Sequence, residues 1–117
     1  MLDFRAMREP SLATLRVLRA LFDGQDTDHY GLALIDHTGV KAGTLYPILS
    51  RLEQDGWVEG QWEQIDEAAA GRRRRRYYRL TGLGEREAWP ILAETAAALT
   101  PPRRPRPPSR ERVWATP

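Results

Sequence analysis

The stretch Val40–Gly56, VKAGTLYPILSRLEQDG, constrains this chain more than any other. Placed on a helix at about 100° per residue, Leu45, Ile48, Leu49 and Leu52 fall on one narrow stripe, the i, i+3, i+4, i+7 pattern of a helix packed on a core. The opposite face carries Gly43, Pro47, Ser50 and Gln54, flanked by Thr44, Tyr46 and Arg51. Short hydroxyl donors, a phenol and a guanidinium are groups suited to phosphates and base edges. Gly56 is placed to close the helix in a left-handed conformation. An amphipathic helix of this kind can also belong to an ordinary helical core, so the flanking segments have to decide.

Upstream, Pro10-Ser11 is a helix start with Ser11 as N-cap. Leu12, Leu15, Val17, Leu18, Leu21 and Phe22 then recur at helical spacing until Asp23-Gly24. Residues 1–10 show no clear period and form an arm that could extend a helix toward a partner subunit. After the polar loop Gln25–Asp28, a short helix is expected over about Asp28–Thr38, with Tyr30, Leu32, Leu34 and Ile35 as its apolar face. Gly39 supplies a turn into the Val40–Gly56 helix. Two short helices joined by a glycine-containing turn, the second offering small polar residues near its start, form the helix-turn-helix pattern. A small helical bundle with no nucleic-acid role is the competing reading.

Downstream the period changes from 3.6 to 2. Val58, Gly60 and Trp62 alternate with Glu59, Gln61 and Glu63, the signature of a half-buried strand. Ile65–Gly71 is expected to be a loop or hairpin tip. Arg74–Leu80 reads as the return strand, with Tyr78 and Leu80 inward and Tyr77 and Arg79 outward. The fold class is therefore α+β, mostly α. It is a winged helix-turn-helix over residues 11–80, built of three helices and a two-stranded wing. The wing tip carries five adjacent arginines, Arg72–Arg76. They repel one another unless solvent or a polyanion screens them. A solvated loop would explain such a run; a wing lying beside a nucleic-acid backbone would also explain it.

Thr81 is a good N-cap for a last helix over residues 81–100. Leu83, Trp89, Leu92, Ala96 and Leu99 lie on one face of it, close to an a/d seam. Pro90 lacks the N–H that would bond the Arg86 carbonyl, so a kink or a fresh start is expected there. Little of the domain remains to cover this seam, which points to dimerisation together with the first helix through Leu15. Packing against the first helix within one chain is the alternative. Residues 101–117 are rich in Pro and Arg and are expected to be extended or disordered; Trp114 has no account in such a tail.

Composition narrows the function classes. The net charge of +2 conceals an asymmetry: residues 1–70 hold six Lys/Arg against twelve Asp/Glu, and residues 71–117 hold twelve Arg against four Glu. The chain has no cysteine, hence no disulfide, thiolate metal site or cysteine nucleophile. His29 and His37 have no matched partner at metal or triad spacing, and no glycine-rich phosphate loop is present. An enzyme is not expected, and no cofactor is implied. Without an apolar run near 18 residues or a signal-peptide pattern, a cytoplasmic protein with no membrane role is the expectation.

Gly43-Thr44-Leu45-Tyr46-Pro47, then Arg51-Leu52-Glu53 and Gly56, followed by an Arg-rich turn leading into Tyr78-Arg79-Leu80-Thr81 and Gly84, resembles the PadR family of bacterial transcriptional regulators. The likeness extends upstream to Tyr30-Gly31-Leu32 and covers about residues 10–90. The short segment after Thr81 is similar to the subgroup with one carboxy-terminal dimerisation helix. The resemblance implies a homodimeric winged-helix repressor on a palindromic operator of double-stranded DNA. Carried over by position, it implies DNA contacts from Lys41, Gly43, Thr44, Tyr46 and Arg51, and from the wing residues Arg72, Arg73 and Arg74. It also raises a small aromatic effector held where Trp89, Leu92, Ala96, Leu99 and Leu15 meet at an interface. A sensor or protein-interaction module on the same scaffold, with only weak DNA binding, is the alternative function. Lys41 stands where the family often has Ser, so the cap hydroxyl of the recognition helix is missing.

Overall fold

The computed structural model describes residues 10–24 and 29–102. Residues 1–9 of the expected arm, Asp28 as the start of the second helix, and residues 103–117 of the tail with Trp114 lie outside the described residues. The elements run in the order α1 (Leu12–Asp23), β1 (His29–Tyr30), α2 (Gly31–Thr38), α3 (Ala42–Gln54), β2 (Val58–Trp62), α4 (Glu67–Ala70), β3 (Arg76–Leu80) and α5 (Gly82–Leu99).

Each helix begins and ends for a local reason. Ser11 caps α1, its hydroxyl accepting from the Thr14 N–H at 3.1 Å, a contact that typically contributes about 1 kcal/mol. Gly39, with φ 73°, ends α2 in the left-handed region, and its N–H donates to the Ile35 carbonyl at 2.8 Å. Gly56 (φ 77°) does the same after α3, as expected from the sequence. The helix-turn-helix therefore consists of α2, the turn Gly39–Lys41 and α3. Thr38 tightens that turn: its hydroxyl donates to the Leu34 carbonyl at 2.6 Å and accepts from the Val40 N–H at 3.1 Å.

The core lies where α1, α2, α3 and the root of the sheet converge. Val17, Leu18 and Leu21 of α1 meet Leu34 of α2, and Leu45, Leu49 and Leu52 of α3 close over them; Trp57, Val58, Tyr78 and Ala88 complete the cluster. The predicted stripe of α3 is thus the buried one, with Ile48 at its margin. Truncating a fully buried leucine such as Leu49 removes both transfer energy and packing, about 2–5 kcal/mol.

Four expectations about elements need correction. The second helix starts at Gly31 instead of about Asp28, because Tyr30 is extended (φ −103°, ψ 160°) and His29–Tyr30 pairs antiparallel with Tyr77–Tyr78 of β3. The sheet is consequently three-stranded, in the order β1-β3-β2, and not the bare two-stranded wing that was expected. A two-residue strand is too short to leave a period in sequence. Leu32, assigned to the apolar face of that helix, is exposed, because it lies some 200° around α2 from Leu34 at the helical repeat. At the wing tip, the expected loop contains a single helical turn: the Asp66 carboxylate accepts from the N–H groups of Ala68 (3.0 Å) and Ala69 (3.4 Å), and Gly71 (φ 67°) ends it.

The register of the hairpin is fixed by the pairs Val58↔Leu80, Gly60↔Tyr78 and Trp62↔Arg76. From there the chain enters α5 through a compact junction. The Thr81 hydroxyl donates to the Gly56 carbonyl at 2.6 Å and accepts from the Gly84 N–H at 3.0 Å, capping the helix as predicted. The helix α5 continues through Pro90 as one element, so there is no fresh start at that residue. It packs on α1 through Ala88, which is fully buried, and through the Phe22–Trp89 ring pair at 5.6 Å. No helix among the described residues is long and apolar enough to cross a membrane.

Candidate nucleic-acid interface

The outer face of α3 is built from residues that the core does not claim. Lys41, Ala42, Gly43, Thr44, Tyr46, Pro47 and Ser50 are all exposed. Lys41 stands at the N-cap without a side-chain cap bond, and its carbonyl accepts from the Thr44 and Leu45 N–H groups at 2.9 and 2.8 Å. The first turn is regular despite the missing hydroxyl. Its uncapped amino end and the Lys41 charge together present positive potential to an anion. Pro47 has no N–H to donate to the Gly43 carbonyl. Nothing lies within 4 Å of where a Gly43 side chain would be, so the fold itself does not require glycine there. Arg51 is half-buried on the flank of α3.

Tyr46 has two surfaces. It is 44% exposed, yet its ring lies directly over Gly31, where a Cβ would collide with the phenol oxygen and ring edge. The Tyr46 ring can lie against the first turn of α2 in this way only because position 31 has no Cβ. This contact joins two separate parts of the sequence pattern, Tyr30-Gly31-Leu32 and Gly43-Thr44-Leu45-Tyr46-Pro47.

The arginine run, uniform in sequence, is sorted by the structure. Arg72 is clipped to Glu63: Nη1 donates to Oε1 at 2.7 Å and Nη2 to Oε2 at 3.1 Å. The same carboxylate accepts from the Tyr77 hydroxyl at 3.0 Å and from the Arg75 N–H at 3.3 Å. These donors, the Arg72 guanidinium foremost, hold the Glu63 carboxyl down at about 2. Arg75 stacks over Tyr30 at 4.3 Å, and Arg74 over Trp62 at 5.0 Å. Arg76 reaches back across Gly60 to Glu53 of α3 at 3.2 Å and lies over the rings of Trp62 (5.4 Å) and Tyr78 (5.9 Å). Arg73 has neither an ion pair nor a ring partner among the described residues. The Arg76–Glu53 link joins the wing to the carboxy-terminal end of α3.

Sequence reasoning did not mark Trp62, Glu63 or Tyr77 as parts of this surface. One signal was available for Trp62: the strand alternation continues to an aromatic residue past the end of the core, where burial cannot be its reason.

The residues assigned to an interface on α5 are only partly brought together. Leu15, Leu92, Ala96 and Leu99 line a cleft of about 360 Å³ between α1 and α5, with Leu12 and Arg16 at its α1 side. Trp89, 60% exposed, is not among its lining residues and rests against Phe22 instead.

A helix-turn-helix followed by a hairpin wing and a further helix defines a winged-helix protein. The sequence pattern of the Transcriptional regulator PadR-like family matches residues 17–89, more than half of the chain, and the chain belongs to that family. Its members are transcriptional regulators, not enzymes. No curated protein matches the chain. Among solved structures, smu.1704 from Streptococcus mutans UA159 is 29% identical, with a TM-score of 0.61 over 79% of this chain and 86% of that one. A PadR-like transcription factor from Bacteroides fragilis is 26% identical, with a TM-score of 0.54 over 74% and 88% of the two chains. AbfR of Staphylococcus epidermidis, in its disulfide form, is 24% identical with a TM-score of 0.62. The match covers 78% of this chain but only 61% of AbfR, so the present chain spans about three fifths of that protein. AbfR has also been solved, reduced, bound to DNA.

Proposed function

We propose that this regulator is a homodimeric DNA-binding repressor that recognises a palindromic operator. The observation that carries the reading is an exposed polar face on α3 together with an arginine-bearing wing that is tied to the same helix through Arg76 and Glu53. In this reading the amino-terminal turn of α3 enters the major groove. Lys41 and Arg51 meet bases or phosphates, Thr44 and the Tyr46 hydroxyl meet phosphates, and Gly43 lets the helix backbone approach closely. Arg72, Arg73 and Arg74 lie along the backbone or in the minor groove. The DNA-bound AbfR structure, on a similar fold, supports this reading. Exposed Leu12, Leu83, Trp89 and Leu99 on α1 and α5 support a second protomer covering those helices, and a two-fold dimer fits a palindromic site.

The test is binding of the purified protein to a palindromic fragment from upstream of its own gene, followed as a function of salt. The logarithm of affinity should fall linearly with the logarithm of salt, by about one unit of slope per phosphate contact. Arg73→Ala and Arg74→Ala should each flatten that slope by about one unit; Arg72→Ala should flatten it less, because Glu63 already holds that guanidinium. A monomer that does not bind DNA at low salt would overturn the proposal. Release by a small aromatic effector, or a sensor with weak DNA binding, is the second reading. It is supported by the cleft between α1 and α5 that Leu15, Leu92, Ala96 and Leu99 line. Quenching of tryptophan emission by planar aromatic compounds, absent in Trp89→Phe, is what it requires.

A further inference from the structure

The structure points to Trp62 as the residue that positions the wing for DNA, and we propose that it does so by holding the Arg74 guanidinium in place with its edge open. This rests on the DNA-binding reading above and adds a residue to it. Trp62 ends β2 and is 51% exposed. A large aromatic side chain so placed adds little to the core, whose last inward residues on this hairpin are Val58 and Tyr78. What it touches is arginine: Arg74 at 5.0 Å from the ring centre and Arg76 at 5.4 Å. The two guanidiniums differ in their other commitments. Arg76 is fixed independently by Glu53 and by the Tyr78 ring, and it crosses Gly60 where any side chain would obstruct it. Arg74 has no other partner among the described residues, so Trp62 alone restrains it.

Stacking consumes the face of a guanidinium and leaves its in-plane N–H donors available for a phosphate. A stacked arginine also forgoes less side-chain freedom on binding than a solvated one, because its rotamer is already restricted. The neighbouring Arg73 lacks this support, and Arg72 has its fork occupied by Glu63. Arg74 and Arg75, the latter over Tyr30, are therefore the members of the run that are both restrained and unneutralised, and Arg74 is the one that Trp62 holds. Trp62 is a positioning residue: it acts through Arg74 and need not touch DNA itself.

The experiment is a double-mutant cycle read by fluorescence anisotropy on the palindromic fragment over a range of salt. Trp62→Ala should weaken binding about two- to fivefold, the scale of one exposed cation–π contact. It should leave the salt slope unchanged, because no phosphate contact is removed. Trp62→Phe, which keeps a ring face, should recover most of the affinity. Arg74→Ala should lower the slope by about one unit, and adding Trp62→Ala to it should cost nothing more. The thermal midpoint should stay the same throughout, separating positioning from a structural role. An equal loss from Trp62→Ala with and without Arg74, or no loss at all, overturns the assignment while leaving the DNA-binding reading intact. If the unmodified protein shows no salt-dependent binding, both fail.

Discussion

Glu63 shows how one side chain organises a mobile-looking sequence. A run of arginines would splay apart if each were simply solvated. Glu63 gathers the Arg72 fork, the Tyr77 hydroxyl and the Arg75 amide on one carboxylate, and so fixes where the chain leaves the tip and rejoins the sheet. Its folded-state value, about 2, lies below the ordinary 4.5. Between those values the unfolded chain binds the proton more readily, so the stabilisation contributed by this group is complete above pH 4.5 and disappears as pH falls toward 2. A carboxyl-carbon NMR titration should place the Glu63 midpoint near 2, and Arg72→Ala should move it upward; a midpoint at the ordinary value in the unmodified protein would refute the clip. Gly31 makes a second point at this scale. Gly31→Ala should displace the Tyr46 ring with little loss of stability, because the ring lies at the surface and can swing aside. Its signature would be a shifted Tyr46 resonance, absent if the ring contact is not formed in solution.

Among the elements, the junction between the wing and α5 is the most demanding. Gly84 sits where a Cβ would run into the Trp57 carbonyl, and backbone cannot swing aside as a tyrosine ring can. Gly84→Ala should therefore destabilise the fold by about 1–3 kcal/mol or more, the range for overpacking a tight site, despite alanine's better helix propensity. Thr81→Ala should cost about 1–2 kcal/mol through loss of the cap together with its bond to the Gly56 carbonyl. Both are checked by denaturant unfolding, and a neutral Gly84→Ala would mean that α5 does not pack so closely on the α3–β2 connection. The helix α3 is more tolerant. It keeps a regular first turn although Lys41 provides no cap and Pro47 removes one backbone bond, because its buried stripe Leu45, Leu49 and Leu52 anchors it to the core.

For the whole molecule, α5 has a buried side and an exposed apolar one. One side of it, through Gly84 and Ala88, is buried within the chain, while Leu83, Trp89 and Leu99 remain exposed; Leu99 is 71% exposed. The two alternatives raised by the sequence are thus compatible: α5 packs on α1, and its remaining apolar surface is the proposed dimer contact. Replacing Trp89 and Leu99 by Glu should convert a dimer to a monomer in sedimentation experiments and reduce operator affinity, since one protomer would then read only one half-site. A persistent dimer would place the interface elsewhere.

The periods of the sequence determined the helix-turn-helix, the stripe of α3, the hairpin and the start of α5. Each depends on residues within a few positions of one another, where helical and strand geometry leave a direct imprint. Ser11, Gly39, Gly56 and Thr81 were readable for the same reason, since caps and turns are local. Only the tertiary structure decided which arginines of Arg72–Arg76 are committed. Their partners Glu63, Trp62, Tyr30 and Glu53 lie up to 45 positions away in sequence (Tyr30 to Arg75 at the extreme), and identical side chains carry no mark of their neighbours. The strand at His29–Tyr30 was likewise invisible, because two residues have no period and pair only once β3 is in place. Gly31 and Gly84 are glycines for the same non-local cause: each lies against a segment that only folding brings to it.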